Sequence, residues 1–303
     1  MKALIGNNSS KEQFKNYLAH NQASTRPIFL ILIGPEGIWK TSFLRSFAEE
    51  NLWNYATTDL FWMRDCSRQL WKPHSIQVEM PDKQKTIQIT DTLIYDNKGI
   101  REINNWLQQS SLSWRKILLI ENLQRMTNAA MNAFLKTCEE PLPNRYILAT
   151  AEHESWILPT ILSRAMIIRF SPLTDEEMNK YISENYPDLQ WEKKDFFIKI
   201  AMWRPWTFHS IYEKISDVPE IYDTIKELLP LLQEQGNRFK KIQILKQLEE
   251  FWFLDTFRSF IVKECTENNN SKWAENRIKI KKYINSNVSQ ENALRYWILS
   301  SEN

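Results

Sequence analysis

The longest unbroken apolar run in the chain, Ile28-Phe-Leu-Ile-Leu-Ile33, is bounded by Pro27 and Gly34 and constrains the fold more than any other stretch. Alternating polarity would mark a strand with one wet face. A continuous apolar run between turn residues instead fits a strand buried on both faces, as in a parallel sheet. Gly34-Pro-Glu-Gly-Ile-Trp-Lys-Thr41 follows directly, and after it Phe43, Leu44 and Phe47 recur at helical spacing. Strand, glycine-bearing turn and helix is the local order in which a backbone can wrap a phosphate.

The same signals repeat down the chain. Lys116–Ile120, Tyr146–Thr150 and Met166–Phe170 read as further short buried strands, and 75–80 and 86–93 as a hairpin or strand pair turning at 80–85. Helices are expected at 99–109, 127–140 and 157–162. The second has Thr127 as its cap, Ala130, Phe134, Leu135 and Cys138 as its apolar stripe, and Pro141 and Pro143 as its stop. Strands alternating with helices imply a three-layer α/β domain around a mostly parallel sheet. Beyond residue 171 the strand signals vanish, and amphipathic helices are expected at 174–186, 191–202, 206–216, 218–234, 237–264, 271–285 and 289–299. The expected domains are therefore 1–171, 172–217 and 218–303.

Composition excludes several classes of function. The balance of 39 basic against 37 acidic residues gives +2, too close to zero for a protein that coats nucleic acid, so any DNA contact must be local. The longest apolar run is too short to span a bilayer, and the polar start of the chain has no signal core, which points to a cytoplasmic protein without membrane contact. Cys66, Cys138 and Cys265 are widely separated and the four histidines are scattered, so neither a disulfide framework nor a zinc site is expected.

The chemistry concentrates in two motifs. Residues 34–41 fit G-x-x-x-x-G-K-[ST] at every fixed position except the second glycine, which is Trp39. Gly34, Gly37, Trp39, Lys40 and Thr41 are thus the candidate phosphate-binding set. Lys40 would reach the outer phosphates and Thr41 would bind Mg²⁺, making ATP and Mg²⁺ the implied cofactors, while the Trp39 indole argues against their binding. Ile117-Leu-Leu-Ile-Glu-Asn122 occupies the place of a second nucleotide motif, an apolar strand ending in acidic residues. Glu121 would face a metal-bound water. Asn122 cannot act as a general base, because its amide accepts no proton near neutral pH.

Together with Asn132-Ala-Phe-Leu-Lys-Thr-Cys-Glu-Glu-Pro141 and Ile157-Leu-Pro-Thr-Ile-Leu-Ser-Arg-Ala165, these residues resemble the bacterial DNA polymerase III clamp-loader family. Within it the chain looks most like delta-prime, then like the ATP-binding gamma/tau subunit. The resemblance is strong over 27–210. It implies an AAA+ domain with a P-loop and parallel sheet, a small helical lid, and an all-helical C-terminal collar. The implied partners are gamma/tau and delta subunits in a hetero-pentamer, the sliding clamp and primer–template DNA. It also implies that Arg164 is an arginine finger acting in trans on a neighbour's ATP, that Thr150 is a polar sensor, and that Arg204 belongs to the nucleotide-binding set.

The sequence departs from the family in lacking its four-cysteine zinc module, with residues 54–95 substituting a compact segment. Glu121-Asn122 in place of an acidic pair argues for a subunit that does not hydrolyse ATP. Two alternatives are a hydrolysing gamma/tau-like ATPase and, less in keeping with the helical C-terminal half, a P-loop small-molecule kinase.

Glycine and tryptophan usage is abnormal. The chain has 5 glycines and 13 tryptophans, where average usage of about 7% would give roughly 21 glycines. Trp39, Trp114, Trp203 and Trp206 fall where the resembled family shows glycine. An economical reading is a host that decodes UGA as glycine, so that these four residues are glycine in the native polypeptide.

Overall fold

The structure is a computed structural model. It describes residues 5–22, 26–52, 56–65, 76–79, 87–89, 97–126, 128–140 and 142–233, with short pieces at 239–240, 243–244 and 246–247. The expected turn at 80–85, the Thr127 cap, Cys66, Cys265, the helices at 271–285 and 289–299 and most of that at 237–264 lie outside the described residues.

In chain order the first unit contains α1 (Asn8–Gln22), β1 (Ile28–Ile33), α2 (Lys40–Leu52), α3 (Ala56–Asp59), β2 (Leu60–Asp65), β3 (Ile76–Glu79), β4 (Ile87–Ile89), α4 (Asn97–Gln108), β5 (Lys116–Ile120), α5 (Asn128–Glu139), β6 (Arg145–Ala151), α6 (Pro159–Leu162) and β7 (Met166–Arg169). The sheet order is β4-β3-β2-β5-β6-β1-β7. Strands β2, β5, β6, β1 and β7 are parallel, and β3 and β4 add an antiparallel hairpin to one edge.

The expected buried strands form with alternating sides. Phe29, Ile31 and Ile33 join α4, α5 and α6 in one core, while Ile28, Leu30 and Leu32 join α1 and α2 in the other. Both faces are dry, so apolar residues can follow one another without a break.

Two elements differ from the sequence expectation. Helix α1 carries few apolar residues, but Phe14 stands edge-on to Phe43 and Phe47 of α2 at 4.9 and 5.0 Å. Its start is tied across the chain, with Asn7 Nδ2 donating to Ser171 O at 2.9 Å and Ser171 N–H to Asn7 Oδ1 at 2.8 Å. Strand β2, inside the stretch read as a compact substitute, is an interior member of the sheet and pairs Leu60–Met63 with Ile117–Ile120.

Two buried cations finish α4. Arg145 Nε donates to Leu107 O at 2.6 Å and its Nη2 to Gln109 O at 2.8 Å, while Lys116 Nζ donates to Trp106 O at 2.7 Å. The last carbonyls of a helix lack intrahelical donors and carry its negative dipole end, so cations belong there. Burial pulls the Arg145 pKa down, partly opposed by Asp59. Arg145→Met orphans two carbonyls and is expected to cost about 1.5–3 kcal/mol, read as a lower denaturant midpoint; an unchanged midpoint would show that the pair caps nothing of consequence.

The chain divides into two compact units, Met1–Glu177 and Met178–Asn303. α7 (Asp175–Asn185) crosses that division; α8 (Trp191–Ala201), α9 (Pro205–Asp217) and α10 (Glu220–Gln233) follow in the second unit. There Phe197, Phe208 and Tyr186 pack ring against ring, and Tyr186 Oη meets His209 Nδ1 at 2.6 Å.

Candidate functional site

The loop after β1 is pinned on both sides. Gly34 N–H donates to Ala151 O at 3.1 Å and Phe170 N–H to Ile33 O at 2.8 Å. A Cβ at Gly34 would lie 2.2 Å from Phe170 O, so a side chain is excluded by close approach. Gly37 has φ +83°. Lys40 opens α2 with its side chain buried inside the loop, and its Nζ donates to Gly34 O at 2.6 Å and Pro35 O at 2.7 Å. Thr41 follows in the first helical turn, where backbone N–H groups and the helix dipole favour an anion.

Gly34, Gly37, Lys40 and Thr41 therefore fit a phosphate cradle. Trp39 does not, because it holds φ +63° while carrying the bulkiest side chain at a point where the backbone should be bare. With tryptophan at 39, no chemistry on a nucleotide is assigned to this chain's own loop.

The neighbouring strand ends meet the loop along one edge of the sheet. Glu121 follows β5 and continues the ladder, its N–H donating to Met63 O at 2.9 Å, while its Oε1 accepts from Trp62 Nε1 at 2.9 Å. Asn122 adopts a left-handed conformation, φ +50° and ψ +59°, and its N–H donates to buried Thr150 Oγ1 at 3.0 Å. Since β6 lies between β5 and β1, the structure brings the loop, Glu121, Asn122 and Thr150 to the carboxyl ends of three adjacent strands. In open α/β sheets that edge is where ligands bind.

Arg164 belongs to the other edge. It stands two residues before β7, whose first residue, Met166, pairs with Leu30 near the start of β1. Its Nη1 donates to Thr160 O at 2.6 Å and its Nη2 to Glu139 Oε1, at the end of α5, at 2.7 Å. Beside this pair, burial pushes the Cys138 thiol up to about 12, a larger effect than the lowering by Arg164. Arg204, in the second unit, is buried and donates from Nε to Ala201 O at 3.1 Å.

The sequence reading missed two partnerships. Trp62 holds Glu121 from an unforeseen strand, and Glu139 holds Arg164. The Glu139-Glu140 pair was visible as part of a motif, but nothing local says that it faces Arg164.

A family model described as DNA polymerase III, delta subunit, matches residues 6–174, more than half of the chain. The chain belongs to that family. Among its relatives, this delta-family chain is 37% identical over 78 residues to the DNA polymerase III subunit delta' of Haemophilus influenzae, covering 25% of this chain and 24% of the relative. It is 27% identical over 157 residues to the DNA polymerase III subunit gamma of Buchnera aphidicola, covering 50% of this chain and 40% of the relative. The matched part thus spans well under two thirds of either relative. The structure of a RuvB point mutant from Thermotoga maritima superposes with a TM-score of 0.51 at 14% identity, covering 98% of this chain and 91% of that one, a likeness of fold. The fold is AAA+-like, and within the family the likeness is to delta-prime. No helix among the described residues is long and apolar enough to cross a membrane.

Proposed function

We propose that this chain is a non-motor, delta-prime-like subunit of a cytoplasmic clamp loader. In this reading it helps hold a hetero-pentamer with gamma/tau and delta subunits, offers Arg164 to ATP on a neighbour, and helps open the sliding clamp at primer–template DNA. Residues 172–217 serve as its lid and 218–303 as its collar. Thr150 acts as the polar sensor and Arg204 as a nucleotide-facing residue.

The observation that carries this reading is the end of β5. Asn122, which cannot take a proton, stands where a hydrolytic base would act, with its own N–H engaged by Thr150. Arg164 adds support: its guanidinium lies on the edge opposite this chain's own phosphate loop, and a planar two-pronged cation suits a phosphoryl group supplied by another subunit. Glu139 and Thr160 hold it out at the surface.

The purified chain alone is expected to turn over no ATP above background, yet to co-elute with gamma/tau and delta subunits in size-exclusion chromatography. Turnover by the chain alone that disappears in Lys40→Ala would instead establish the gamma/tau-like alternative.

A further inference from the structure

Seven non-glycine residues among those described have positive φ: Asn7, Asn122, Asn144, Met202, Trp39, Trp114 and Trp203. The three asparagines need no explanation, since their short side chains tolerate the left-handed region. Met202 is the residue after α8, where its N–H reaches the carbonyls of Ile198 and Lys199 in a common helix-ending bond pattern. The tryptophans are different. Only a few per cent of non-glycine residues adopt positive φ, and a bulky residue there is an outlier. Here it is three of the eight tryptophans whose backbone is described.

Packing gives one of them nothing in return, for Trp114, at φ +72°, is 84% exposed. Trp203, at φ +55°, follows left-handed Met202 directly, so two successive residues carry Cβ atoms through the least favourable basin. Trp39, at φ +63°, is the residue that spoils an otherwise fitting phosphate cradle. Glycine is indifferent to the sign of φ and would remove all three difficulties. The chain is also short of glycine while carrying many tryptophans, 5 against 13.

We propose that positions 39, 114 and 203 are glycine in the polypeptide its source cell makes, because UGA codons there are read by a glycine tRNA; tryptophan at these places is the product of a different decoding. The backbone also separates these positions from the others. Trp62 lies buried in β2 with its Nε1 on Glu121, and Trp106 packs on Phe61 at 5.3 Å with Lys116 Nζ 4.5 Å from its ring centroid. These two are tryptophan in the source cell. Trp206, also expected to replace a glycine, sits in the first turn of α9 in ordinary helical backbone, 54% exposed, and its conformation makes no demand for glycine. With glycine at 39 the loop regains a bare backbone between Ile38 and Lys40.

The test is peptide mass spectrometry of the protein purified from its source organism. Peptides covering 39, 114 and 203 should each be lighter by the difference between an indolylmethyl group and hydrogen, while those covering 62 and 106 keep tryptophan. Tryptophan at any of the three sites, or UGG codons there, overturns the proposal. A second measurement uses recombinant protein: Trp39→Gly, Trp114→Gly and Trp203→Gly combined should raise the denaturant midpoint, whereas Trp62→Gly should lower it. A fall on the triple replacement also counts against the proposal.

Discussion

Arg164→Ala is expected to lower DNA-stimulated ATP hydrolysis by the reconstituted loader about 10³-fold at the site it serves, the low end of what an arginine finger contributes. Remaining sites in the complex would dilute the loss in a bulk assay, so single-turnover measurement is the suitable readout. The substitution should not unfold the chain. Arg164 is an exposed residue whose ion pair with Glu139 joins side chains 34% and 47% exposed, and such pairs contribute about 0–1 kcal/mol. A loss of turnover with an unchanged melting curve therefore reports on phosphoryl chemistry, not on folding. Lysine in its place should rescue little, because a point charge cannot reproduce the planar two-pronged guanidinium. Unchanged turnover in the assembled complex would end the assignment in trans.

Phe134→Ala is expected to destabilise the first unit by about 3–5 kcal/mol, a large share of the roughly 5–15 kcal/mol that holds a domain together. Phe134 is fully buried between α5 and the sheet, edge-on to Phe29 with ring centroids 6.3 Å apart. Removing the ring leaves a cavity in the core cluster that Phe134 shares with Ile31 and Ile147, which β-sheet backbone cannot collapse to fill. Because α5 also ends in Glu139, loosening it would slacken the hold on Arg164. Urea melts should show the midpoint falling, with Phe239→Ala, an exposed ring, as a control expected to stay within about 0.5 kcal/mol. A change under about 1 kcal/mol at Phe134 would mean that α5 is not docked as described.

The hydrophobic pattern was legible wherever a strand is buried on both faces. Ile28–Ile33, Lys116–Ile120 and Arg145–Ala151 stand close to where their apolar runs placed them. The pattern failed at α1, whose few apolar residues gain meaning only against Phe43 and Phe47, and at β2, where four apolar residues running into Arg64 and Asp65 were too short a signal. The Thr127 cap and the Pro141 stop fall outside the described residues.

The sequence by itself determined the order of strand, glycine-bearing loop and helix, the family motifs, and the presence of an amide, Asn122, beside Glu121 at the end of an apolar strand. Each of these is written in neighbouring residues, and local backbone preference and side-chain chemistry need no distant partner. Only the tertiary structure decided that Glu121 is held by Trp62 from 59 residues away, that Glu139 grips Arg164 across 25, and that Arg164 lies on the edge opposite the loop. Strand order places such groups together, and strand order follows from which apolar faces can be covered, a property of the whole sheet. The sign of φ at Trp39, Trp114 and Trp203 belongs with these, since a tryptophan's own preference points the other way and the surrounding strands and helix ends impose the turn.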